Sequence, residues 1–140
     1  MESAKKKLNA LKALWHDKRG TRTMPSRGDL SVSVLRPWLG NLALIDLTGT
    51  TPYFRLCGTS LHGRFGGEMT RCKIDLLDDD VAKTLRHGIE KVCHTRKPAH
   101  AEHEAAQGMS LVFHELCAPL SDDDVTIDTV LFASFPEKRR

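Results

Sequence analysis

Leu111-Val112-Phe113-His114-Glu115-Leu116-Cys117-Ala118-Pro119-Leu120, then Ser121-Asp122-Asp123-Asp124, then Thr126 to Phe135: these residues decide the fold. Two strand-length apolar runs flank a Ser/Asp turn, which predicts an antiparallel pair. Immediately before them, Ala99 to Ala105 alternates small and polar residues and reads as a third strand. Upstream, Asp80 caps a predicted helix over 81–95, which Pro98 ends. Its Val81, Leu85, Ile89 and Val92 form one apolar stripe. Residues 59–77 read as short helical pieces broken by Gly63, Gly66 and Gly67, and 42–47 with 53–58 form a hairpin across the turn 48–52. Further back, a short helical turn at 32–35 ends before Pro37 and Trp38, and 21–29 is a loop marked by Pro25 and Gly28. An amphipathic helix opens the chain at 3–19, with Ser3 as its cap. It carries Ala4, Leu8, Leu11 and Trp15 at helical spacing, Leu14 beside them, and Gly20 as its stop. This order predicts an α+β domain with five antiparallel strands near 42–47, 53–58, 99–106, 110–120 and 126–135. The expected organisation is an N-terminal helix in 1–20, one domain in 21–136 and a basic tail in 137–140.

Charge is divided unevenly along the 140 residues. Residues 1–20 and 137–140 hold nine of the 21 Lys and Arg but only three of the 18 acids, so the body is acidic, with 12 basic against 15 acidic groups. A nucleic-acid partner needs a basic face that neutralises several phosphates, and none is expected here. No apolar run approaches the ~18–20 residues that cross a bilayer, and no apolar core follows the lysine-rich start as in a signal peptide. The expected location is the cytoplasm, with Cys57, Cys72, Cys93 and Cys117 reduced.

Several residue groups invite chemistry and are outweighed by plainer readings. Cys93-His94 cannot readily chelate one zinc from adjacent helical positions. His87 and His94 fall opposite the apolar stripe of helix 81–95 and should face water, which argues against haem. His100-Ala101-Glu102-His103 is a metal clamp only if helical. On a strand His103 instead shares a face with Ala99, Ala101 and Ala105, whose small side chains leave room for a bound molecule. Arg55 sides with Tyr53 and Cys57. Facing inward it would need an acid such as Glu115, or an anionic ligand; facing outward it needs neither. The sequence holds no nucleophile elbow and no Walker-type lysine loop. Asp78-Asp79-Asp80 and Asp122-Asp123-Asp124 read as a helix cap and a turn, and Thr70-Arg71-Cys72-Lys73 does not match the flavin-photosensor motif. No enzyme is expected. The cofactor is left open, with haem, flavin and zinc each disfavoured.

A family resemblance rests on pieces spread in order through the chain. They are Trp15; Met24-Pro25-Ser26-Arg27; Pro37-Trp38-Leu39; Phe54-Arg55-Leu56-Cys57-Gly58-Thr59; Phe65-Gly66-Gly67-Glu68-Met69-Thr70; and Glu115-Leu116-Cys117-Ala118-Pro119-Leu120-Ser121. With them the chain resembles a bacterial subfamily of stand-alone PAS-domain proteins. Arg71 departs from the pattern, which usually has glycine after the threonine. The resemblance implies helices covering one face of the sheet and enclosing a ligand cavity, and signalling through a ligand or a partner protein. Some relatives are connected with cyclic di-GMP signalling, which enters by resemblance alone.

The resulting expectation is a sensory module that binds a small ligand or docks on a signalling protein, with a purely structural dimerisation module as the alternative. The stripe Leu8, Leu11, Trp15 must pack on its own domain or on a second copy, and a homodimer through this helix is expected. The cavity is expected between the inner sheet face and 59–77, with Arg55 and His103 as polar contacts and Trp38, Phe65 and Phe113 as apolar lining.

Overall fold

Helix α1, Ala4–Arg19, begins where Ser3 Oγ accepts the Lys6 N–H at 3.2 Å and stops at Gly20, whose φ of 56° carries the chain out of the helical region. A computed structural model describes this helix and the rest of residues 3–105 and 110–139. After α1 come α2 (Val32–Leu35), β1 (Leu42–Asp46), β2 (Tyr53–Cys57), α3 (His62–Phe65), α4 (Asp79–Thr95), β3 (Ala99–Glu104), β4 (Leu111–Leu120) and β5 (Thr129–Lys138). The strands form one antiparallel sheet in the order β2-β1-β5-β4-β3. β4 and β5, the pair expected across the Asp-rich turn, lie fully in register from Leu111↔Lys138 to Leu120↔Thr129.

Alternation along the strands gives the sheet two apolar faces. Leu42, Leu44, Leu116, Ala118, Leu120, Leu131, Ala133 and Phe135 point to one side, where Ala4, Leu8, Leu11 and Trp15 of α1 cover them. Trp15 is 1% exposed, and its indole N–H donates to the Pro119 carbonyl at 2.9 Å. The stripe of α1 is thus consumed within its own chain. Of the two partners open to these residues, their own sheet is the one they cover. The other face carries Ala43, Ile45, Phe54, Cys117, Val130 and Phe132 under α3, α4 and the segment between them. Leu85, Ile89 and Val92 of the α4 stripe are buried there and Val81 is partly buried.

Boundaries differ from the sequence reading in physically clear ways. The last strand starts at Thr129 rather than 126, because the Asp123 carboxylate accepts the N–H groups of Val125 and Thr126 and holds them in the loop. It also runs on to Lys138, so part of the expected basic tail is strand. Helix α4 starts at Asp79 with Asp78 at the cap position in place of Asp80. Residue 106, the expected end of the third strand, lies outside the described residues.

Candidate functional site

Three residues of β3 make the outer floor of a cleft on the inner face. Ala99 stands opposite Cys117, Ala101 opposite Glu115, and His103 opposite Phe113. Two of these β3 side chains are methyl groups, which leave room between this end of the sheet and α4. At one point it does come close: a Cβ added to Gly88 would lie 2.9 Å from Cys117 Sγ, so only glycine allows that approach. Beyond that contact the two layers part, leaving a cleft of about 910 Å³. Its apolar walls are Phe65, Val81, Leu85, Cys117 and Phe132, and its rim includes His87, Lys91 and His100.

Glu115 is the polar centre of this floor. Its side chain is 5% exposed, and both of its oxygens are engaged. Oε2 accepts from Arg64 Nε at 2.8 Å and from Ser134 Oγ at 2.6 Å, while Oε1 accepts from Arg64 Nη2 at 3.2 Å. Such a forked guanidinium–carboxylate pair is among the stronger polar contacts a protein makes. The guanidinium carbon also lies 5.0 Å from the centre of the Phe113 ring, which fixes the plane of the fork. His103 Nε2 stands 3.7 Å from Glu115 Oε1, beside the pair. Ser134 is directly opposite Glu115 in the β4–β5 ladder, so backbone register alone brings the hydroxyl to the acid. Cys117, one step along the same face, has its thiol pushed up to about 12 by burial and by the Glu115 charge, and stays protonated at neutral pH.

The residues expected in a pocket separate into two groups. His103 and Phe65 line the cleft, and Phe113 lies under the Arg64 guanidinium. Arg55 and Trp38 are elsewhere. The β1–β2 register jumps from Leu44↔Leu56 to Ile45↔Phe54, which leaves Arg55 as the extra residue of a bulge on an edge strand. Its side chain is 56% exposed, and its Nε lies 3.5 Å from Asp46 rather than near Glu115. Trp38 packs on the α1 side of the sheet with the opposite core. The main wall facing the sheet is α4. The segment 59–77 contributes Arg64, Phe65 and Asp75. His87 and His94 are exposed, as their helix face demands, although His87 sits on the cleft rim. Arg64 escaped the sequence reading. The only signal for it was Glu115 itself, an acid in an apolar strand that must find a cation.

The model of the PAS domain family matches residues 3–133. Among solved structures, the chain is similar to a sensory box sensor histidine kinase from Vibrio cholerae, at 15% identity and a TM-score of 0.58. That match covers 81% of this chain and 94% of the other. It is also similar to a light-oxygen-voltage domain described with a flavin analogue, at 13% identity and a TM-score of 0.53, covering 76% and 84%. At these identities the likeness is one of fold. No curated protein matches the sequence. With its family model spanning almost every described residue and its sheet and helices arranged as in these sensory domains, the chain belongs to the PAS domain family.

Proposed function

We propose that this PAS domain is a sensory module that binds a small molecule in the cleft between α4 and the β3–β4 floor. The observation that carries the reading is the Arg64–Glu115–Ser134 cluster at the base of a roomy, mostly apolar cleft. Small-molecule sites have this composition: apolar walls and a few fixed polar groups that orient the occupant. A dimerisation module with a filled core would have no use for the space above Ala99 and Ala101. Arg64 lies on α3, which ends in Gly66 and Gly67 at φ of 84° and 149°. An occupant that touches Arg64 would therefore act on a short element with a glycine hinge, and a change there is a means of signalling to a partner protein. Four free cysteines suit a reducing compartment, in keeping with a module of the cytoplasm.

Native mass spectrometry of protein purified from its source tests the reading. A stoichiometric small molecule should accompany the chain, and Ala101→Phe, which fills the cleft from an exposed floor position, should lose it while remaining folded. A clean polypeptide mass with an unaltered Ala101→Phe protein would instead favour the structural dimerisation module.

A further inference from the structure

We infer that the occupant of this cleft is an amphipathic molecule with a single anionic head, a carboxylate above all, which Arg64 receives. This rests on the ligand-binding reading of the same cleft and adds the chemistry of the ligand. The donors and acceptors at the floor decide the head group. An ionised carboxylate offers about four acceptor positions. Glu115 has filled three of them, with Arg64 Nε, Arg64 Nη2 and Ser134 Oγ, and His103 Nε2 stands near the fourth. Its acceptors are therefore nearly spent, and it has little left to offer a cationic ligand.

The guanidinium is in the opposite condition. It has five N–H groups, of which Nε and one on Nη2 go to Glu115, and among the described residues no acceptor takes those of Nη1. No buried side-chain nitrogen or oxygen among the described residues lacks a partner. Nη1 therefore keeps some exposure, and Arg64 is one of the residues that line the cleft. The surplus at the floor is one of donors on a permanent cation, which selects a charged acceptor over a neutral or cationic group. Elsewhere the rim is balanced: Arg86 is paired with Asp75, while Lys83 and Lys91 share the rim with Asp79 and Glu90. A single anionic head thus has one destination, and the walls of Phe65, Val81, Leu85 and Phe132 take an apolar body.

The test uses the intact chain and three indoles of like shape: indole-3-acetate, indole-3-acetamide and tryptamine, with octanoate, octanamide and octylamine as an aliphatic series. Affinities are measured by calorimetry. The carboxylate of each binding series should bind at least about tenfold tighter than its amide, the gain of one charge-assisted contact, and the amine should bind worst. The pair variant Arg64→Met with Glu115→Gln removes both charges and keeps the volume, and should bind carboxylate and amide alike. Arg64→Lys, which keeps the charge but loses the fork, should retain part of the preference and serves if the pair variant fails to fold. Amides or amines that equal the carboxylates overturn the head-group assignment and leave the cleft as a ligand site. A preference that survives in the pair variant, or at full strength in Arg64→Lys, also overturns it, by showing that the anion sits elsewhere. Silence from all six compounds overturns the inference that the cleft takes such molecules, while the ligand-binding reading is decided separately by the co-purified mass.

Discussion

Arg71 adopts φ of 71°, in the left-handed region that favours glycine. The conformation is imposed from outside: the Arg71 N–H donates to the Phe54 carbonyl at 2.6 Å, and the next residue's carbonyl accepts the Phe54 N–H at 2.9 Å. These two bonds tie the loop to edge strand β2. A residue with a Cβ in this region costs roughly 1–2 kcal/mol relative to its preferred conformations. Glycine escapes that cost but gives up about 0.5–1 kcal/mol of extra freedom on folding. The Arg71 side chain is exposed and makes no hydrogen bond or ion pair among the described residues, so its loss subtracts little. Arg71→Gly should therefore stabilise the domain by about 0.5–1 kcal/mol, which for a chain of this length raises the melting temperature by roughly 2–4 °C. Urea denaturation gives the same quantity as a higher midpoint at unchanged slope. Arg71→Ala is the control, because it removes the charge but keeps the Cβ, and it should leave the midpoint within about 0.5 kcal/mol of the parent. A glycine variant no more stable than the alanine variant would refute the reasoning, since the backbone term would then be absent. An alanine variant as stable as the glycine one would assign the gain to charge.

Arg64→Ala strands the Glu115 carboxylate on the floor of the cleft and should cost about 3–5 kcal/mol of unfolding free energy. The paired Arg64→Met/Glu115→Gln variant should recover most of that, and a single variant as stable as the pair would mean that Glu115 is not held by Arg64. Removal of residues 1–19 bares the outer sheet face and discards Leu8, Leu11 and Trp15, each worth roughly 2 kcal/mol or more on burial. The truncated chain should therefore lose cooperative unfolding, whereas a well-folded one with a normal thermal transition would show that α1 is dispensable to the core. Acid should weaken the fold. Burial raises the Asp46 carboxyl, but the Thr48 hydroxyl and N–H, the Tyr53 hydroxyl and Arg55 outweigh it and hold it below its ordinary value; the N–H groups of Thr23 and Met24 do the same for Asp124. Groups lowered in the folded state contribute stability that is present above their unfolded values, near 3.9, and is lost as pH falls through the folded ones. Urea midpoints should drop as pH falls below about 4, with Asp46→Asn less sensitive, and a midpoint indifferent to acid would contradict these assignments.

The sheet was legible in the sequence because its strands obey local rules. Leu111 to Leu120 and the residues after the Asp-rich turn are apolar on both faces, and both faces prove to be covered, one by α1 and the other by α4. The stripe Val81, Leu85, Ile89, Val92 faces the core because helical spacing leaves no alternative. Packing partners were less accessible. Sequence alone leaves Leu8, Leu11 and Trp15 the choice between their own sheet and a second copy, and only the indole-to-Pro119 bond across 104 positions shows which was taken.

The candidate site shows where such reasoning holds and where it stops. On β3 the alternation is unbroken, so Ala99, Ala101 and His103 share a face as their spacing requires, and the small pair opens the cleft. On β2 one bulged residue resets the alternation. Phe54 and Cys57, three apart, both turn inward, and Arg55 is turned out to solvent and Asp46. Nothing in Tyr53-Phe54-Arg55-Leu56-Cys57 marks that extra residue, because a bulge depends on how the strand meets its neighbour rather than on its own composition. The need for a cation at Glu115 was readable from one acid among apolar residues. Its identity depended on which of two arginines the chain folds toward the floor, and that is a contact between residues 51 positions apart. Composition along a strand can therefore state that a buried charge requires a partner, while the choice between Arg55 and Arg64 belongs to the register and to the glycine-ended turn that carries α3 across the sheet.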